Sequence, residues 1–220
     1  MSENPNFKMN DIVIKIFHPP IQLTKKLYVD LIDRLSDYYN NQSVYPDKFS
    51  FSASRQKVAT ITSNMCSVAE IFDDDEEAVK NKVFKTINNI VVGAQLSTID
   101  YFDLVTSVIY TPKSSNGNPF SFEKVDNIGN SFLKKLDYQN LGAQNLTTGI
   151  HWFFSRGKKN YTLKLEPYRN SPGSVFIDLI VLFPQESVSI AEIKMLVREE
   201  MEFLKNQIYS FVSSQMENLE

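Results

Sequence analysis

The residues able to do chemistry are few and scattered. The chain has two histidines, His18 and His151, and one cysteine, Cys66. Neither histidine belongs to a His-x-x-x-His or His-Glu-x-x-His pattern, and Cys66 has no cysteine partner nearby. Zinc requires three or four such ligands at defined spacing, so no metal centre is expected. A serine or cysteine nucleophile needs a base within reach. No Gly-x-Ser-x-Gly elbow is present, and Cys66 lies in a strand-like stretch where a small buried thiol is the simplest reading. Phosphate loops need glycines that let backbone amides approach the anion. Only seven glycines occur, and none forms Gly-x-Gly-x-x-Gly or Gly-Lys-Ser/Thr.

The acidic groups fare no better. The run Asp73-Asp74-Asp75-Glu76-Glu77 lacks the alternation and glycine of a calcium loop. Ahead of Val79, Val83, Ile87 and Ile90 it reads as negative charge on the positive end of a helix dipole. Glu199, Glu200 and Glu202 fall at different helical angles and define no carboxylate pair. No catalytic, metal-binding or cofactor-binding residue is assigned, and the chain reads as non-enzymatic.

What remains are surfaces, and these depend on the elements that carry them. Ile12, Ile14 and Ile16 alternate with Val13, Lys15 and Phe17 in a strand that stops at Pro19-Pro20. Leu27, Leu31 and Leu35 follow at helical spacing behind a candidate N-cap, Thr24. Phe49, Phe51 and Ala53 alternate with serines up to a hairpin tip, Ser54-Arg55-Gln56-Lys57, and Val58 to Met65 reads as one returning strand. The acidic run then opens a helix over 76–92. From Phe102 the order recurs. A strand runs to Tyr110, and a polar loop covers Lys113 to Pro119. A helix carries Phe122, Val125, Phe132 and Leu136 on one face. Ile150 to Phe154 leads to a tip over Ser155 to Asn160, and Tyr161, Leu163 and Leu165 return. Asn170-Ser171-Pro172-Gly173 is a turn. Val175 to Phe183 is a long apolar strand, and a final helix over 189–214 starts at the candidate cap Ser189.

The tips match best: Phe51-Ser52-Ala53-Ser54-Arg55-Gln56-Lys57 sits against Trp152-Phe153-Phe154-Ser155-Arg156-Gly157-Lys158. This points to a duplicated unit, with half-repeats at 1–95 and 96–220 meeting at a seam over 93–98 and packed as one continuous domain. Antiparallel strands with one apolar face need helices to cover it, which makes the fold class α+β. Two such units joined edge to edge give one wide curved sheet with helices on the convex side. That arrangement resembles the fold of the TATA-box-binding protein. No DNA-contacting residue of that family has a counterpart here, so the resemblance implies shape alone. The chain also resembles an uncharacterised, sporadically distributed family of bacterial proteins of similar size. The residues that carry this likeness are Phe17-His18-Pro19-Pro20, Phe176-Ile177-Asp178-Leu179 and the Phe203 to Phe211 helix. An Arg-rich central segment associated with that family is absent, and the family implies no activity.

Composition bounds the rest. A net charge of −3, from 23 basic and 26 acidic residues, does not favour a generic nucleic-acid binder. The charge is uneven, however. Residues 139–184 balance to +3 and residues 185–220 to −4. No apolar run approaches membrane-spanning length, so no membrane span is expected. Met1 to Asn10 lacks the apolar centre of a signal peptide. A lone cysteine rules out an internal disulfide, and a cytoplasmic protein is expected.

Three functional readings follow. The first is a protein-interaction surface, or self-association into a homo-oligomer, through the outward sheet face of the second half. There Phe153, Phe176, Ile180 and His151 are the candidate partner-binding residues. Aromatic and aliphatic side chains ringed by Thr162, Lys164, Glu166 and Asp178 have the composition of an interface core. The second is nucleic-acid binding by basic tips, with Arg55 and Lys57 on one and Arg156, Lys158 and Lys159 on the other. The third is a ligand or enzyme site at the seam, with Tyr101, Asp103 and His151 as candidates.

Overall fold

The computed structural model describes residues 6–73, 75–111, 149–168, 170–171 and 174–217. The expected loop at 113–119, the helix carrying Phe122 to Leu136, Pro172-Gly173 of the expected turn, and Glu220 lie outside the described residues.

The first strand, β1 (Phe7–Phe17), alternates as read, with Ile12, Ile14 and Ile16 fully buried. Helix α1 (Lys25–Leu35) begins where Thr24 Oγ1 accepts the Leu27 amide, so one unpaired N-terminal donor is satisfied. Leu31 and Leu35 make its buried face. Then come β2 (Asn41–Val44), β3 (Lys48–Ser52), β4 (Val58–Thr62) and β5 (Met65–Ile71). Two of these differ from expectation. The stretch 58–65 is not one strand: it turns at Ser63-Asn64, where Thr62 Oγ1 accepts the Met65 amide and donates to the Met65 carbonyl. The fully exposed β2 carries no alternation to reveal it. Helix α2 (Glu76–Gly93) is capped by Asp75, whose carboxylate accepts the Ala78 amide, with Glu76 and Glu77 in its first turn. At its end Gly93 touches α1: a Cβ there would come within 3.0 Å of Leu31 and 3.1 Å of Arg34.

The second stretch comprises β6 (Tyr101–Tyr110), β7 (Ile150–Arg156), β8 (Lys159–Pro167) and β9 (Val175–Leu182). The β7–β8 turn has two residues, Gly157-Lys158, and Gly157 takes φ +60°, which a side chain would strain. Helix α3 (Ile190–Phe203) starts in a full capping box between Ser189 and Glu192. It continues through a π-helical turn (Leu204–Ile208) into α4 (Tyr209–Glu217).

The nine strands among the described residues join one antiparallel sheet in the order β2-β3-β4-β5-β1-β6-β9-β8-β7, with β1 and β6 central. The helices cover one face. Trp152 packs edge-on against Phe211 of α4, Tyr28 of α1 lies over Phe49, and Phe7, Tyr110 and Tyr209 stack at 3.9–4.3 Å. The core is continuous from Phe51 in β3 to Tyr161 in β8. Among the described residues, no helix is long and apolar enough to cross a membrane.

Candidate functional site

The other face of the sheet is set by the same alternation. Every second residue points away from the helices, and strand register lines these residues up in rows across neighbouring strands. The middle row is largely apolar: Ala69, Val13, Val105, Ile180, Thr162 and Phe153, from β5 to the β7 edge. Phe153 at its end is 76% exposed, more than any other large apolar side chain among the described residues.

Polar rows flank this stripe. On one side run Ser67, Lys15, Asp103, Leu182 and Asn160. Burial pushes the Asp103 carboxyl above its ordinary value, against the pull of Lys15. On the other side run Asp11, Ser107, Asp178, Lys164 and His151. Ser107 Oγ lies 2.8 Å from Asp11 Oδ1 and 2.7 Å from Asp178 Oδ1. A hydroxyl has one hydrogen, so it satisfies one carboxylate as donor and is left to accept from the other. Ser107 Oγ is the donor toward Asp178, whose carboxyl is nonetheless raised above its ordinary value. Burial raises its pKa first, the nearby Asp11 and Glu166 charges add to this, and Ser107 and Lys164 oppose it. Asn10 donates to the far oxygen of Asp11, at 2.7 Å. His151 Nε2 stands 3.6 Å from Glu166 Oε1 at the end of the row.

All four sequence-derived interface residues lie on this face, which is open among the described residues. Phe153 and Ile180 share the middle row, His151 lies two residues from Phe153 along β7, and Phe176 stands between Ile109 and Glu166. Of the seam candidates, Tyr101 stacks on Phe17 at 4.3 Å, while His151 is on the outermost strand, well away from Asp103.

The basic tips are held apart. Because β1 and β6 run antiparallel, the β3–β4 and β7–β8 turns lie at opposite ends of the strands. Six strand spacings separate the hairpins, about 29 Å at 4.8 Å each. Lys57 pairs with Asp73 and Lys158 with Glu186. Lys159 reaches the buried Glu200 at 2.6 Å. Arg156 turns to the helix side and lies over the Phe203 ring, while Arg55 is exposed on the first tip.

Sequence reasoning missed the buried acids. Glu200 and Glu70 are each 1% exposed. Tyr161 and Lys159 hold Glu200, and Tyr39 and Lys82 hold Glu70. Each is a tyrosine–glutamate–lysine group whose lone pairs are met inside the protein, which is the condition for burying a carboxylate. Burial, then the Glu200 charge, pushes the Tyr161 phenol up to about 12. Among the described residues, no three His, Cys, Asp or Glu side chains are grouped to hold a metal ion. No family model matches the chain, and a search of curated proteins finds no match.

Proposed function

We propose that this chain is a non-enzymatic interaction protein that binds a protein surface, or a second copy of itself, with the open face of its sheet. One observation carries the reading: the apolar row from Val13 through Val105 and Ile180 ends in Phe153 at 76% exposure, between two polar rows. An apolar strip with a polar border is how interface cores are built; Val13, Val105 and Ile180 are half-buried in this strip and Phe153 is its exposed end.

The proposal includes a duplicated, saddle-like architecture of the TATA-box-binding-protein type. It is supported by the strand order, which reads β1-β5-β4-β3-β2 outward on one side and β6-β9-β8-β7 on the other, so that four strands correspond and the edge strand β2 has no described counterpart. In such a duplication a twofold axis between β1 and β6 would relate the two orders and send the tips to opposite ends, where the β3–β4 and β7–β8 turns lie. The lone, deeply buried Cys66 suits a reducing compartment, and the proposal places the protein in the cytoplasm.

Sedimentation velocity over a range of concentrations, with apolar-dye binding, tests this for the wild type, Phe153→Asp and Ile180→Lys. Association or dye binding that weakens in both variants supports the reading. A strictly monomeric wild type whose dye binding is unchanged by Phe153→Asp overturns it. So does a low-salt gel shift in which DNA or RNA binds and Arg55→Gln or Lys158→Gln releases it.

A further inference from the structure

On the helix-covered side, the β7–β8 hairpin, α3 and the π-helical turn line an open groove of about 970 Å³. This is at the upper end of the roughly 300–1,000 Å³ common for small-molecule sites. The groove does not share its walls with the open face. Tyr161, Lys159, Glu200, Phe203 and Met195 are among the residues that line it. Met195 is 53% exposed, an unusual position for a large apolar side chain with no polar end.

The charges in the groove are unequal in availability. Lys159 and Glu200 neutralise each other at 2.6 Å, and Lys159 is also 3.9 Å from Glu199. Arg198 stands 3.9 Å from Glu77, and Glu202 accepts from Asn206. Arg156 differs: its guanidinium lies 4.5 Å above the Phe203 ring centre. Among the described residues, no carboxylate is within ion-pairing distance of it or of Lys194. Arg156 also interacts with the Tyr161 hydroxyl, and a guanidinium has five N–H donors, so those turned away from Tyr161 can serve a planar anion. Four basic and three acidic side chains line the groove, a balance of +1. That suits one negative charge and is poor for a polyphosphate. The π-helical turn adds a third observation. It widens the helix at this point and brings Asn206 and Gln207 into the lining, and such turns recur at functional sites.

We infer that this groove binds a small amphiphilic monoanion, its carboxylate on the Arg156 guanidinium and its apolar body against Phe203 and Met195. Lys194, whose ammonium lies 5.8 Å from the Phe84 ring centre, adds positive charge to the lining, and the Lys159–Glu200–Tyr161 group contributes no free charge.

Nuclear magnetic resonance titration of the full chain tests this, with octanoate, octylammonium, acetate and inorganic phosphate as probes. Octanoate is expected to give saturable shifts at the Gly157 and Gln207 amides and the Met195 methyl, and acetate much weaker ones. Arg156→Gln should weaken octanoate by roughly tenfold or more, as for the loss of a charge-assisted contact, with the rest of the spectrum unchanged. Arg156→Lys should recover part of the affinity. No saturable shift with octanoate overturns the proposal. Equal binding of octylammonium, equal binding of phosphate, or unchanged affinity in Arg156→Gln overturns it as well. Shifts confined to Phe153 and Ile180 would place octanoate on the open face and count against the groove.

Discussion

Ser107 and Asp178 stand 2.7 Å apart, hydroxyl to carboxylate, and the single hydroxyl hydrogen is also claimed by Asp11 at 2.8 Å. Two carboxylates and one hydroxyl form a complete hydrogen-bonded chain only when one of the acids keeps its proton. This places a proton-sensitive group in the middle of the open face, one row from the apolar stripe.

The pH dependence has a definite sign. Burial raises the Asp178 pKa in the folded chain, so between its ordinary and raised values the folded state binds more protons than the unfolded state. Stability therefore falls as pH rises through that window. Asn has the same shape and cannot ionise. Asp178→Asn should be more stable than the wild type at neutral pH, and the difference should close as pH falls to about 4, the ordinary Asp range. Urea unfolding midpoints at the two pH values measure it. A gap of constant size across the range would show that the proton on Asp178 is not its cause.

Phe153 separates surface from fold. With its side chain mostly in solvent, Phe153→Asp should change stability by no more than about 0.5 kcal/mol. Trp152, the next residue, packs against Phe211 on the helix side, and Trp152→Ala should cost about 3 kcal/mol or more. Thermal unfolding of the pair checks the strand register, since a slip of one residue would exchange the two outcomes.

The Glu200–Lys159 pair should be strongly coupled. Glu200→Ala leaves Lys159 and Tyr161 facing a lost acceptor and should cost about 3 kcal/mol, within the range for a broken buried pair. Replacing both partners by Met should recover most of that loss. A double-mutant cycle in urea measures the coupling, and additive single losses would contradict it.

Cys66 should be chemically silent. Burial pushes its thiol up to about 12, and the side chain is 1% exposed. Only the thiolate attacks disulfide reagents, so labelling by a colorimetric disulfide should proceed at the rate of unfolding and be independent of reagent concentration at high excess. Rapid second-order labelling of the folded chain would show that the β5 region opens locally.

Some of this protein was legible in its sequence. Alternation assigns a side chain to one sheet face without reference to any partner strand. Phe153, Phe176, Ile180 and His151 could therefore be placed on the open face, and Ile12, Ile14 and Ile16 in the core, from local pattern alone. Caps are equally local: Thr24 and Ser189 bond to amides three residues away. The fully exposed β2 was not legible because it carries no alternation, and the Ser63-Asn64 turn shows only as a shift of the buried positions from Ala59 and Ile61 to Cys66 and Val68.

The open-face row was decided by register. Ser107 lies 96 residues after Asp11 and 71 before Asp178, and the three meet only because β6 pairs with β1 and β9 at those positions. The burial of Glu200 has the same kind of cause. Helical spacing separates it from Glu199 and Glu202 by angle, but only the docking of α3 over β8 brings Lys159 and Tyr161 to meet its charge. Arg156 shows the limit most plainly: a basic residue at a hairpin tip is a phosphate-binding candidate in sequence. Its place on the helix side, over Phe203, follows from a two-residue turn and from a helix that begins more than thirty residues later.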